Sequence, residues 1–97
     1  MLTHVGRSSG NVYRVPLDAQ PVDGGYLFIL RYGSDSDWVK NVLAAGAARL
    51  KVGDEELELT SPRLITKSEA SELLAPVGEA PATLRRANEF MQMDIMR

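Results

Sequence analysis

Apolar and polar positions change period several times along the chain, and each change marks an element. Leu2 to Gly6 is a short strand candidate. Gly6-Arg7-Ser8-Ser9-Gly10-Asn11 follows, and its glycines and serines predict a turn. From Val12 to Ala19 the pattern alternates, with Tyr13, Val15 and Leu17 on one face and Val12, Arg14, Pro16 and Asp18 on the other. Pro16 has no N–H for a ladder, so it needs an edge, a bulge or a place where no donor is wanted. Pro21-Val22-Asp23-Gly24-Gly25 predicts a turn around the Asp-Gly pair. Tyr26, Leu27, Phe28, Ile29 and Leu30 are then apolar in succession, a pattern that suits a strand covered on both faces.

The period becomes helical between Tyr32 and Gly46, the stretch that holds the only tryptophan. Ser34 and Asp37 have capping-box spacing, and Ser36 competes as N-cap half a turn later. Asp35 and Asp37 complement the positive end of the helix dipole. Gly46 suits the left-handed residue that closes a helix. Trp38, Val42 and Ala45 fall on one face, with Val39 and Leu43 beside them and Lys40 opposite. Asn41 lies about 60° from Trp38 at roughly 100° per residue. It therefore borders the buried face, placed to hydrogen-bond something held beneath the helix.

A hairpin turning on Gly53-Asp54 comes next. Its register sets Leu50 opposite Leu57, Lys51 opposite Glu56 and Arg49 opposite Glu58, with Ala48, Leu50, Val52, Leu57 and Leu59 on one face. Pro62 to Thr66 is a further strand. Thr66-Lys67-Ser68-Glu69 offers a second capping box, for a helix over Ser68 to Ala75 that Pro76-Val77-Gly78 ends. Pro81 suits the first turn of another helix, running to about Asn88. In Phe90 to Arg97, Met91, Met93 and Ile95 alternate as in a strand, although Leu84, Ala87, Met91 and Ile95 also fit one helix face. A closing strand is expected. The pattern amounts to a mainly β (β+α) domain over residues 1–97. It holds about six strands joined by tight turns and one main helix, with the antiparallel sheet curled into a barrel.

Composition narrows the partners. The chain has 97 residues, 44% hydrophobic and 25% charged, as in an ordinary soluble single domain. A net charge of -2 without a Lys/Arg run argues against nucleic acid. No apolar run reaches the roughly 18 residues of a transmembrane segment, and the N-terminus lacks a signal-peptide pattern. The absence of cysteine removes disulfides and thiolate chemistry and is consistent with a cytoplasmic location. A single histidine, His4, leaves no multi-histidine metal site within one chain. A barrel this small often completes its core as a homodimer, which is the expectation here.

The chemistry-bearing residues are few. In Gly6-Arg7-Ser8-Ser9-Gly10, backbone donors, hydroxyls and a guanidinium can receive an anion, or the stretch is a surface turn with an exposed arginine. If Asp23-Gly24 is a two-residue turn, Pro16 lies opposite Arg31, and Arg14, Pro16 and Arg31 share a basic face. An anionic ligand belongs there rather than at the helix N-terminus, which Asp35 and Asp37 already occupy. The alternative is that Arg14 pairs with Asp18 at the surface. Tyr13, Tyr26 and Tyr32 can donate hydrogen bonds or simply pack. No nucleophile–base pair is visible, and the carboxylates follow solvated patterns. In an enzyme of this kind a bound cofactor carries the chemistry.

Together these residues resemble the deazaflavin-dependent nitroreductase family. The resemblance runs from about Leu2 to Ile65. It rests on Thr3-His4-Val5-Gly6-Arg7-Ser8-Ser9-Gly10, on Arg14-Val15-Pro16-Leu17, on Tyr32-Gly33 with Asp37-Trp38-Val39-Lys40-Asn41-Val42-Leu43-Ala44-Ala45-Gly46, and on the Gly53 hairpin leading into Ser61-Pro62-Arg63-Leu64-Ile65. It implies a split antiparallel β-barrel of the FMN-binding type. It also implies hydride transfer from a reduced 8-hydroxy-5-deazaflavin (coenzyme F-420) to a small electron-poor acceptor. Carried over by resemblance, Arg7, Ser8 and Ser9 lie near the anionic tail, and Tyr13, Arg14, Val15, Pro16 and Leu17 border the cofactor. Leu30, Arg31 and Tyr32 contact it, and Asp37, Trp38 and Asn41 lie across from it. Arg14 or Arg31 would stabilise its charge, and Tyr32 would donate a proton. FMN on the same barrel, in a reductase or carrier, is the alternative, and a non-catalytic dimeric ligand-binding module is a third reading. Ser8 and Tyr32 stand where many members have basic residues, and no tyrosine or tryptophan follows Trp38 to line a nitro-substrate pocket. The first strand begins almost at Met1, so a more open cleft, or one completed by a second subunit, is expected.

Overall fold

Seven strands form one antiparallel sheet in the computed structural model, which describes residues 1–17, 19–77 and 87–96. In chain order the elements are β1 (Leu2–Val5), β2 (Val12–Val15), β3 (Ala19–Val22), β4 (Gly25–Ile29), α1 (Asp37–Ala45), β5 (Ala47–Val52), β6 (Glu55–Ile65), α2 (Lys67–Leu74) and β7 (Phe90–Ile95). The spatial order is β2-β1-β5-β6-β7-β4-β3.

That order curls the sheet. Six strand spacings in a flat sheet would separate β2 from β3 by about 29 Å. Yet β2 ends at Val15 and β3 begins at Ala19, and four extended residues span at most about 14 Å. The two edge strands must therefore approach one another, and the sheet closes into a half-barrel. This agrees with the expected split-barrel β+α fold, with one more strand than the hydrophobic pattern suggested. The additional strand is β3, whose Pro21 and Val22 were expected in the turn; they pair with Tyr26 and Gly25, and the turn is confined to Asp23-Gly24. The strand expected over Val12 to Ala19 correspondingly ends at Val15. It pairs with β1 as Leu2↔Val15 and Val5↔Val12, and β3 pairs instead with β4. The break falls at Pro16, which cannot donate to a ladder.

β4 is the wall between two cores. Phe28 and Leu30 face a cluster with Leu2, Val39, Val42, Leu50, Leu59, Met91 and Met93, under α1. Leu27 and Ile29 face Val22, Ala70, Leu74, Ala87 and Phe90, under α2. The run of consecutive apolar residues is thus covered on both sides, as its pattern required. Against β7, Gly25 is opposite Asp94, and a Cβ built on it would lie 2.0 Å from the Met93 carbonyl oxygen.

The β5–β6 hairpin has the expected register, with Leu50↔Leu57, Lys51↔Glu56 and Arg49↔Glu58. Val52, expected on the core face, is exposed near the hairpin tip. β6 continues through Pro62 into the strand expected at Pro62 to Thr66. A register shift between Thr60 and Arg63, with Ser61 at φ 56°, lets its first half pair with β5 and its second with β7. The capping box of α2 forms, with the Glu69 N–H donating to Thr66 Oγ1 at 3.2 Å and the Thr66 N–H to Glu69 Oε1 at 3.3 Å. Phe90 to Ile95 is a strand, which resolves the ambiguity at the end of the chain. The helix expected from Pro81 to about Asn88 falls outside the described residues over 81–86, and Ala87 and Asn88 are not helical.

α1 differs from expectation at its start and on its face. Of the two expected N-cap candidates it is Ser36, not Ser34, that starts the helix, and no side chain caps it. Ser36 Oγ instead donates to the Gly33 carbonyl at 3.2 Å. With the helix beginning at Asp37, that carboxylate sits one residue into the helix, too early to complete a box with Ser34. Gly46 closes the helix at φ 74°, as expected. The buried face is Val39, Asn41 and Val42. Trp38 is half-buried, and Leu43 and Ala45 are exposed. The seam is therefore rotated toward Asn41, away from the stripe through Ala45.

Candidate functional site

The β1–β2 turn is held by its own backbone. The Gly6 N–H donates to the Asn11 carbonyl at 2.8 Å and the Gly10 N–H to the Gly6 carbonyl at 3.0 Å. Ser9 Oγ accepts from the Asn11 N–H at 3.2 Å and lies 3.3 Å from the Tyr13 hydroxyl. Hydrogen bonding from Ser9, and then from Asn11, draws the Tyr13 phenol below its ordinary value.

Arg7 leaves this turn toward α1. Its N–H and its Nη1 both donate to Asn41 Oδ1, at 3.1 and 2.7 Å, and its Nη2 lies 3.5 Å from Asp37 Oδ1. Asn41 Nδ2 is 3.2 Å from His4 Nδ1. His4 is buried on β1, and its ring stacks on Tyr13 with centroids 5.7 Å apart. Burial pulls the His4 imidazole below its usual value. Asn41, expected at the rim, is a buried hub, and its carbonyl is engaged by the protein itself.

Two cavities flank Trp38. One, of about 580 Å³, is lined by His4, Gly6, Arg7, Ser8, Ser9, Tyr13, Arg14, Val15, Asp37, Trp38 and Asn41. The other, of about 540 Å³, is lined by Met1, Val15, Pro16, Leu17, Ile29, Leu30, Arg31, Tyr32, Gly33, Ser36 and Trp38. Val15 and Trp38 belong to both, so the cavities meet as one groove across the start of α1. Trp38 is braced from below by Phe28, edge to face with centroids 6.2 Å apart. Every residue carried over from the family resemblance lines one cavity or the other. The structure does not bring Arg14 and Arg31 onto one face, however. Hairpin pairing stops at Ala19↔Phe28, so Pro16 and Arg31 share the second cavity while Arg14, opposite Thr3, lines the first.

Glu89 is the residue that sequence reasoning missed. Its carbonyl accepts from the Leu30 N–H at 3.1 Å, and its Oε2 accepts from the Ser34 N–H at 2.5 Å. The segment carrying Arg31 and Tyr32 is thereby tied to the strand that closes the sheet. Hydrogen bonds from Ser34 hold the Glu89 carboxyl below its ordinary value. No local pattern could reveal a partner 55 residues away. Among the described residues no group of His, Cys, Asp or Glu could hold a metal ion.

A family model for F420H(2)-dependent quinone reductase matches residues 1–89 of the chain. The chain belongs to that family. No curated protein matches it. The F420H(2)-dependent quinone reductase family is one of oxidoreductases, and its cofactor is coenzyme F420, an 8-hydroxy-5-deazaflavin. The deazaflavin-dependent resemblance seen in the sequence is upheld, and the acceptor that the family description carries is a quinone. The groove suits such a group. Arg7 and Arg14 at one end and Arg31 at the other complement anionic substituents, and Val15, Leu17, Leu30 and Trp38 offer apolar surface for a planar ring. Among the described residues no helix is long and apolar enough to cross a membrane.

Proposed function

We propose that this protein is a deazaflavin-dependent reductase that binds its cofactor in the groove across Trp38 and reduces a small electron-poor acceptor of the quinone class. The observation that carries the reading is a groove continuous at Val15 and Trp38, with arginines at both ends and the apolar side chains of Val15, Leu17, Leu30 and Trp38 between them. The bound cofactor supplies a hydride when reduced. Arg7, Arg14, Ser8 and the β1–β2 turn hold its anionic tail. Pro16, Leu17, Leu30 and Trp38 position the ring system and keep water from it. Arg31 stabilises negative charge at the second end. Tyr32, 88% exposed at the mouth of that cavity, is placed to give its hydroxyl proton to an arriving acceptor. Asp37 lies beside Arg7 and sets how much of that positive charge the ligand meets.

Arginines spread over both cavities suit several anionic groups better than the single phosphate of FMN. A titration separates the two. Oxidised deazaflavin and FMN are added separately to the purified protein and cofactor fluorescence is followed. Micromolar binding of deazaflavin, weakened by Arg14→Ala, is expected. Tight binding of FMN alone would replace this reading with the flavin one. Binding of neither would leave the non-catalytic ligand-binding module. Turnover of quinones by the reduced deazaflavin complex then tests the chemistry, and gel filtration tests the expected homodimer.

A further inference from the structure

The contacts around Asn41 fix the proton on His4. Arg7 presents only donors to Asn41, through its backbone N–H and Nη1, so the amide oxygen must face Arg7. Asn41 Nδ2, a donor, then faces His4 Nδ1 at 3.2 Å. That nitrogen must carry a lone pair, and the neutral imidazole holds its proton on Nε2. Asn41 is 6% exposed and His4 6% exposed, so water does not substitute readily for either partner. We propose that His4, as the Nε2–H tautomer, is a positioning residue that holds Arg7 at the anion-binding end of the groove through Asn41. This rests on the reading of that end as the seat of the cofactor's anionic tail.

The relay has two consequences. Arg7 is pre-ordered before ligand arrives, so less side-chain freedom is lost on binding. A proton on Nδ1 would set donor against donor, turn Asn41 away and loosen Arg7. The charged and titratable groups lining the two cavities that His4 borders are Arg7 from the turn, Asp37 from α1, Tyr13 and Arg14 from β2, Arg49 from β5 and Glu58 from β6, with Tyr13 stacked on the ring itself. Arg7, engaged on the far side of the same amide, opposes a charge on His4 most directly.

His4 is the chain's only histidine, so its ring nitrogens give unambiguous signals in a long-range ¹H–¹⁵N spectrum of the cofactor-free protein. A lone pair on Nδ1 and a proton on Nε2 are expected near neutral pH. A proton on Nδ1 would overturn the relay. Oxidised deazaflavin is then titrated into the wild type, His4→Leu and His4→Asn, the last of which places an amide oxygen near the position of Nδ1. His4→Leu is expected to weaken binding about tenfold, the scale of one lost hydrogen bond to a charged partner's holder, and His4→Asn to restore most of it. In acid the wild type should lose affinity faster than His4→Asn, the ligand's own titration being common to both. Should His4→Leu bind as the wild type does, with the same pH profile, the proposal fails while the cofactor reading stands. Should the wild type itself not bind, the cofactor reading fails and the positioning role with it, whatever the tautomer.

Discussion

The Ser34 amide and the Glu89 carboxylate, 55 residues apart along the chain, are joined by a 2.5 Å hydrogen bond. The bond fixes the loop between β4 and α1, and with it one wall of the groove. Glu89→Gln keeps the shape and removes the charge. We expect amide hydrogen exchange to quicken over residues 31–36 and deazaflavin affinity to fall several-fold, with the global unfolding midpoint little changed. Because the Glu89 carboxyl is held below its ordinary 4.5, its contribution is present above that pH and is lost as pH falls through the lower folded value. Protection of the loop amides, taken relative to their intrinsic exchange rates at each pH, should therefore fall in acid in the wild type, and the variant should lack that step.

Asp37 competes with any anion for Arg7. The pair is 3.5 Å apart, and the carboxylate is 88% exposed, so the protein gains little stability from it. Asp37→Asn should leave thermal stability nearly unchanged and tighten binding of an anionic ligand at low ionic strength. The gain should shrink as salt is raised. A fluorescence titration at two salt concentrations checks both statements.

His4 links stability to pH. Its folded value lies below 6.5, so the unfolded chain takes up a proton first as pH falls. The stability contributed by the buried neutral ring is fully present above about 6.5 and is lost as pH falls through the folded value. Melting temperatures measured from about pH 8 to about pH 5 should decline with a component that His4→Asn lacks.

Phe28 ties the groove to the core. It is fully buried and braces the Trp38 ring. Phe28→Ala should destabilise the fold by about 3–5 kcal/mol, the usual range for such a truncation, as read from urea unfolding. The Trp38 fluorescence of the folded protein should also shift as its ring loses its support.

How legible an element was in the sequence depended on whether its signal was completed locally. The β5–β6 hairpin carried its own turn at Gly53-Asp54, and the expected Arg49–Glu58 pair is present at 3.6 Å. The two capping boxes are a sharper comparison. Thr66 and Glu69 close theirs, since both groups lie in one turn and nothing else claims them. Ser34 and Asp37 have the same spacing and do not, because Glu89 holds the Ser34 amide and Arg7 draws Asp37. Likewise, the residues of the groove were readable from the family resemblance, whereas their partition between two cavities was not. That partition depends on where pairing stops beyond Ala19 and Phe28, which Pro16 and the curl of the sheet decide together.

Gly25 bears on how the sheet finds its alignment. In a strand with one wet face, a slip of one residue exposes apolar side chains and is penalised by polarity. β4 has no such safeguard, since Leu27, Phe28 and Ile29 are all buried and either face would accept them. Opposite the Met93 carbonyl, only a residue without a Cβ fits. The absence of one carbon atom thus acts as a registration mark. It decides which apolar residues support Trp38 and the groove, and which lie under α2 on the far side of the sheet.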